Sequence, residues 1–142
     1  VAEANEKDQE SIYEFGKNLG IAFQLQDDYL DAFGDPKTFG KQVGGDIIEN
    51  KKTYLYINAL KLSNAEERLQ LQHLFSITPD QPEDKIEIVK QRFIDSGATQ
   101  ATKEAIQTYT QKAFGVLDSL NISEDKKLLL KQFGAQLMNR NI

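Results

Sequence analysis

The chain has 142 residues, with 17 lysines and arginines against 22 aspartates and glutamates, so its formal net charge is −5. A compact chain of this length buries about 68–70% of its unfolded surface, which is enough for one domain with a core. It contains no cysteine, no apolar run approaching ~18 residues and no basic cluster interleaved with aromatic residues. We therefore expect a single domain over residues 1–142, with no disulfide, membrane span or nucleic-acid partner and a cytoplasmic location. Because the chain begins at Val1 and its single methionine is Met138, we also expect it to be part of a longer protein.

Hydrophobic periodicity predicts an all-α fold, and the first helix is the most informative. Asn5 or Asp8 can cap its start, and its apolar stripe continues to Gly34, which predicts one helix of about seven turns. Gly16 and Gly20 weaken this helix by about 1 kcal/mol each, so we expect a neighbouring element to pack closely there. The apolar stripe consists of Ile12, Phe15, Leu19, Phe23, Leu30 and Phe33.

A long loop, GDPKTFGKQVGGD over residues 34–46, follows the first helix. Its glycines, at positions 34, 40, 44 and 45, permit left-handed backbone. Helical spacing then predicts further helices over about 53–62, 65–75, 82–96, 99–120 and 124–139.

Short-range signals mark the ends of these helices. Ser63 and Glu66 offer a capping box for the helix over 65–75. Pro82 suits the first turn of the next helix, Gly97 stops it, and Ser123 caps the last helix.

The second half of the first helix carries a narrow acidic face. On a helical wheel, Gly20, Gln24, Asp27, Asp28 and Asp31 fall within an arc of about 100° that contains no cation. Like charges three or four residues apart cost about 0.2–0.5 kcal/mol per pair in an exposed helix, so a positive partner is expected. Magnesium is the natural candidate because it takes one or two carboxylates plus phosphate oxygens and keeps several waters. The alternative is an ordinary solvated face.

Two other metals are disfavoured. His73 is the only histidine and has no partner ligands in the sequence, so zinc is not expected and His73 is interpreted as a surface or packing residue. The aspartates lie inside helical periodicity rather than in an EF-hand loop, which disfavours calcium of that kind.

The loop after the acidic helix supplies the opposite charge. Lys41 and Lys51 flank Gly44, Gly45 and Asp46, so flexible backbone and two ammonium groups could face a polyanion held over the carboxylates. The alternative is that each lysine is a solvated surface residue.

Residues 20–53 read GIAFQLQDDYLDAFGDPKTFGKQVGGDIIENKKT. This stretch resembles the second aspartate-rich region of the trans-isoprenyl diphosphate synthases, the polyprenyl synthetase family. The Phe-Gln pair at 23–24, DDYLD at 27–31, the GDP that follows, GGD at 44–46 and Lys51 match in order and spacing. The resemblance covers about a quarter of the chain, and the helical remainder is compatible with it.

The resemblance implies a prenyltransferase with an all-helical isoprenoid synthase fold, of which this chain is the C-terminal part. In such an enzyme Mg²⁺ bridges an allylic diphosphate to two aspartate motifs, and isopentenyl diphosphate attacks the allylic cation. The roles it implies are Asp27 as leading magnesium ligand and catalytic residue, Asp28 and Asp31 as assisting ligands, Lys41 (also catalytic) and Lys51 as diphosphate-binding residues, and Phe23 and Gln24 as residues lining the allylic site.

The sequence also departs from the family pattern, because no second DDxxD motif occurs in it. We therefore expect the chain alone to be inactive and, as a truncated bundle, to self-associate, with a homodimer as the expected form. The alternative is a non-catalytic helical subunit that binds magnesium and serves regulation or interaction.

Overall fold

The computed structural model describes residues 6–35 and 43–139, and these residues form helices and loops with no strand. The predicted all-α class is thereby confirmed. The helices of this part of the chain are α1 (Glu6–Phe33), α2 (Gly45–Ile48), α3 (Tyr54–Leu62), α4 (Ala65–Leu74), α5 (Glu83–Ser96), α6 (Ala98–Asp118) and α7 (Glu124–Met138).

Helix α1 is continuous over 28 residues, as its apolar stripe predicts. Phe15, Leu19 and Leu30 are buried along it. Asp8 does not cap its start, because Asp8 is the third helical residue and its Oδ1 accepts the backbone N–H of Asn121 at 3.3 Å. The other predicted cap, Asn5, lies outside the described residues.

The expected close packing at two glycines of α1 is not found among the residues that the structure describes. A Cβ atom placed on Gly16 or on Gly20 would meet nothing within 4 Å. In this part of the molecule the two glycines therefore face open space rather than a neighbouring helix.

The chain divides into two compact units, and helices α1 and α6 each contribute to both. Among the described residues, the first unit contains 6–26 and 105–139. Within it α6 and α7 approach closely, since a Cβ atom on Gly134 would lie 2.9 Å from Cζ of Phe114. Its buried core comprises Phe15, Leu19, Ala22, Ala113, Leu117, Leu120 and Met138.

The second unit contains, of the described residues, 27–35 and 43–104, and α5 contacts α2, α3 and α4 within it. Tyr56 and Phe75 pack with their ring centroids 4.3 Å apart. Its buried core comprises Ala32, Ile47, Leu55, Tyr56, Ala59, Leu71, Phe75, Val89, Phe93 and Ala98.

The capping box of α4 is one residue later than the sequence analysis places it. The side chain of Asn64 accepts the N–H of Glu67 at 2.8 Å, and Glu67 Oε1 accepts the N–H of Asn64 at 3.0 Å. Ser63 is buried, and its Oγ has no hydrogen-bond partner among the described residues. The prediction of Ser63 and Glu66 was wrong because an Asn-x-x-Glu box overlaps the Ser-x-x-Glu pattern by one residue, and Asn caps at least as well as Ser.

The other helix ends agree with the sequence more closely. Gly97 ends α5 in a left-handed conformation with φ 92°, and the side chain of Ser123 accepts the N–H of Lys126 at 3.3 Å. Pro82 is the N-cap of α5 rather than its first helical residue. Helix α6 ends at Asp118, two residues before the predicted end.

The loop region contains two features that the sequence analysis did not predict. Residues 45–48 form the short helix α2. Of the glycines that permit left-handed backbone, Gly44 adopts it, with φ 91°, whereas Gly34 and Gly45 do not. Gly40 lies outside the described residues. Asn50 is a non-glycine residue with positive φ, at 60°.

No helix in the described part of the chain combines the length and the apolar composition needed to cross a bilayer.

Candidate functional site

The aspartates of α1 differ in their exposure. Asp27 is half-buried, whereas Asp28 and Asp31 are 8% and 6% exposed. Gln24, one turn before Asp28, is exposed. The narrow acidic face predicted from the sequence therefore passes from solvent into the protein along the helix.

Asp31 holds the start of α2 against α1. Its Oδ2 accepts the backbone N–H of Asp46 at 2.7 Å, and its carbonyl oxygen accepts the N–H of Gly44 at 2.5 Å. Gly44 is the N-cap of α2, and its positive φ turns the chain so that both N–H groups face Asp31. The two hydrogen bonds fix the start of α2 with respect to the acidic face.

Lys51 brings a cation to this face. Its Nζ lies 3.7 Å from Oδ1 of Asp28 and 3.9 Å from Oδ1 of Asp46. The Lys51 side chain is 52% exposed, whereas that of Asp28 is 9% exposed. An ion pair this long with one solvated partner is weak, so the ammonium can turn toward another anion at little cost.

The backbone that precedes Lys51 is fixed by a set of hydrogen bonds around Asn50. The ammonium of Lys85 donates to Oδ1 of Asn50 and, at 2.9 Å, to the carbonyl oxygen of Ile77. Nδ2 of Asn50 donates to the same carbonyl at 3.2 Å. Lys85 is 3% exposed, and this burial lowers the pKa of its ammonium below the usual 10.5.

Neither Asn50 nor Lys85 is predicted from the sequence as part of the site. A signal for Lys85 was present, because Lys85, Val89 and Phe93 are spaced four residues apart and lie on one face of α5. A lysine on the apolar face of a helix indicates a buried ammonium with a specific partner.

Three further residues singled out from the sequence, Phe23, Gln24 and His73, lie in the described part of the chain. Phe23 is half-buried and Gln24 is exposed on α1, and both belong to the first compact unit. Lys41 lies outside the described residues. His73 is exposed in the last turn of α4, in agreement with its interpretation as a surface residue.

The carboxylates of this region suit magnesium better than a metal that takes all of its ligands from protein side chains. Within residues 6–35 and 43–139, no group of three or more His, Cys, Asp or Glu side chains is arranged to hold a metal ion. Magnesium requires fewer protein ligands, because it takes one or two carboxylates and completes its coordination shell with water and phosphate oxygens. Asp27 and Asp31 lie one turn apart on α1, so they can supply such a ligand pair, with Asp28 close by on the same helix.

The fold and this polar face define an all-helical protein whose longest helix presents carboxylates beside a loop that carries glycine and lysine. The sequence profile described as Polyprenyl synthetase matches residues 1–92. The chain belongs to this family.

Known relatives and structures agree with this assignment. The chain is similar to the geranylfarnesyl diphosphate synthase of Aeropyrum pernix, with 35% identity over 131 residues that cover 91% of this chain and 40% of that protein. It superimposes on a crystal structure of a geranylgeranyl pyrophosphate synthase with a TM-score of 0.84 and 50% identity, covering 97% of this chain and 43% of that one.

A third similar protein is the geranylgeranyl pyrophosphate synthase of Corynebacterium glutamicum, crystallised with isoprenyl diphosphate and magnesium. The TM-score is 0.81 at 28% identity, over 92% of this chain and 37% of that one. The architecture is therefore the all-α isoprenoid synthase fold. The chain spans less than half the length of each of these three proteins.

Proposed function

We propose that the chain is the C-terminal portion of a trans-isoprenyl diphosphate synthase, which condenses isopentenyl diphosphate with an allylic diphosphate. The observation that carries the proposal is the position of Lys51, which follows α2 and whose ammonium lies beside Asp28 and Asp46, while Asp31 holds the start of α2. Membership of the polyprenyl synthetase family supports it. The Corynebacterium structure, which contains isoprenyl diphosphate and magnesium, supports the choice of ligand and metal.

The acidic face of α1 is the proposed magnesium site. Asp27, the more exposed of the aspartates, is the leading ligand, and Asp28 and Asp31 assist it directly or through water. Bound magnesium supplies positive charge that stabilises the departing diphosphate. Asp31 has a second task, because its Oδ2 already accepts the N–H of Asp46.

The proposed reaction releases a diphosphate, and Lys41 and Lys51 are the residues proposed to bind it. In the reaction, the bond between the allylic carbon and the diphosphate oxygen breaks, and the diphosphate keeps the electron pair. The double bond of isopentenyl diphosphate then attacks the allylic cation, and the new cation so formed loses a proton to the released diphosphate or to water. Lys41 and Lys51 bind the diphosphate oxygens and stabilise their growing charge, which is the preorganised electrostatic form of catalysis. The family resemblance assigns Phe23 and Gln24 to the allylic substrate.

The test is the Asp27→Ala variant of the full-length protein in a radiolabelled prenyl-transfer assay. Removal of one preorganised electrostatic group in comparable sites costs about 3–4 kcal/mol, so we expect turnover to fall by about 100- to 1,000-fold. Lys41→Ala should weaken diphosphate binding and lower turnover. His73→Ala is the control and should leave the rate unchanged, since His73 is exposed on α4. Full activity of Asp27→Ala would falsify the assignment.

The alternative of a non-catalytic subunit predicts a different result in the same assay. The unaltered full-length protein would then transfer no prenyl group, yet it would still bind magnesium and diphosphate through the acidic face.

A further inference from the structure

The ammonium of Lys85 is buried in a part of the molecule that the proposed reaction does not use. Lys85 is 3% exposed and lies on the face of α5 that also carries the buried Val89 and Phe93. Its Nζ is 5.8 Å from the ring centroid of Phe75. Burial of a charged group has a large free-energy cost, which an apolar side chain of the same length would avoid.

The two hydrogen-bond acceptors of the Lys85 ammonium show that it fixes the side chain of Asn50. Both are uncharged oxygens, the Oδ1 of Asn50 and the carbonyl of Ile77, and Asn50 also donates to the Ile77 carbonyl. The three groups form a closed set in which each hydrogen-bonds to the other two. The side chain of Asn50 therefore has a single orientation, fixed from α5 and from the segment that follows α4.

The orientation of Asn50 matters because this residue sets the direction of the backbone after α2. Its φ of 60° is left-handed, a conformation that asparagine adopts more readily than most residues but still at some cost. The left-handed residue turns the chain out of α2, and the N–H of the next residue, Lys51, donates to the carbonyl of Asp46 at 2.8 Å. This turn directs Lys51 toward Asp28 and Asp46.

We propose that Lys85 is a positioning residue: through Asn50 it fixes the turn that places the ammonium of Lys51 at the diphosphate-binding face, without touching the substrate. The proposal rests on the proposed function, in which Lys51 binds a diphosphate. It assigns Lys85 and Asn50 a role in substrate affinity that acts only through Lys51.

The experiment measures the affinity of the full-length protein for inorganic pyrophosphate in the presence of Mg²⁺ by isothermal titration calorimetry. Lys85→Met keeps an unbranched side chain as far as Cε and removes the donor, and Asn50→Gly keeps the left-handed backbone and removes the amide. We expect each to weaken binding by about fivefold, because the Lys51 ammonium is half-exposed and its contribution is partly screened. Lys51→Met should weaken binding by at least as much.

The double variant Lys51→Met/Lys85→Met separates positioning from a general structural role. If Lys85 acts through Lys51, the double variant binds pyrophosphate as weakly as Lys51→Met does. Replacing Lys85 has no further effect once the Lys51 ammonium is gone. Lys90→Met is the matched control: it also removes one ammonium from α5, and the ammonium of Lys90 contacts the ring of Phe33 instead. It should bind like the unaltered protein.

The outcomes that contradict the two proposals differ. Additive losses in the double variant, or unchanged binding in both Lys85→Met and Asn50→Gly while Lys51→Met is impaired, would overturn the positioning role and leave Lys51 in place. Unchanged binding in Lys51→Met would overturn the assignment of Lys51 and the positioning role together. If Lys85→Met fails to fold, Asn50→Gly and its own double variant with Lys51→Met decide the question.

Discussion

At the level of single residues, Asp27 and Asp31 of α1 differ in burial, and Asp31 has a structural role. Asp31 is buried and accepts a backbone N–H from α2, so one of its oxygens maintains the structure. Asp27 is half-buried and lies four residues earlier on the same helix. Stability and catalysis should therefore respond differently to the loss of these two carboxylates.

We expect Asp31→Ala to lower the free energy of unfolding by about 1–3 kcal/mol, because it leaves the N–H of Asp46 without its charged acceptor. Asp27→Ala serves as the matched variant, and we expect it to lower the free energy of unfolding by less than Asp31→Ala does while it abolishes most of the turnover. Urea denaturation of the two variants measures the difference. Equal losses of stability would show that Asp31 does not anchor the loop.

At the scale of elements, the caps show where sequence patterns succeed and where they do not. Ser123 and Gly97 could be predicted because each is a favoured residue at an isolated helix end. The box before α4 was misplaced because two overlapping patterns, one from Ser63 and one from Asn64, both satisfy the rule, and only the backbone decides between them.

The variants Asn64→Ala and Ser63→Ala test this correction. Asn64→Ala removes the acceptor for the N–H of Glu67 and should cost about 1 kcal/mol of stability. Ser63→Ala removes a buried hydroxyl that has no hydrogen-bond partner in the described structure, so it should be neutral or slightly stabilising. Thermal unfolding followed by circular dichroism measures both changes. A larger loss for Ser63→Ala would restore Ser63 as the cap.

The candidate site was only partly predictable for a related reason. The acidic face and Lys51 could be read from the sequence because helical spacing and a familiar motif place them. The contacts that fix Lys51 could not, since Asn50 and Lys85 are 35 residues apart and meet only through tertiary packing. Helix α2 was missed because four residues carry no periodicity from which a helix can be inferred.

At the level of the complete protein, the relevant feature is the share of its relatives that the chain covers. It spans less than half of each of the three similar proteins. Helix α7 leaves Leu128, Leu129 and Phe133 more than half exposed, and self-association stays a prediction.

We predict that the 142-residue chain alone does not condense isopentenyl diphosphate with an allylic diphosphate. Its carboxylates and Lys51 can attract a magnesium diphosphate weakly, since the lysine is half-exposed and screened by salt. Alignment of the two reacting carbons contributes up to about 7–11 kcal/mol to catalysis, and it requires the facing helices that the resemblance assigns to the rest of the enzyme. The radiolabelled assay on the purified chain measures this. Multiple turnovers by the chain would contradict the prediction.

The anchoring of the loop by Asp31 has a consequence for evolutionary drift. In a duplicated copy that had lost its enzymatic task, Asp27 would no longer be under selection, whereas Asp31 would still be needed to hold the N–H of Asp46 in a folded protein. Such a copy would lose the first aspartate of the motif before the last. On the proposed assignment, a carboxylate that survives at position 31 alone indicates selection for folding, whereas one that also survives at position 27 indicates selection for catalysis.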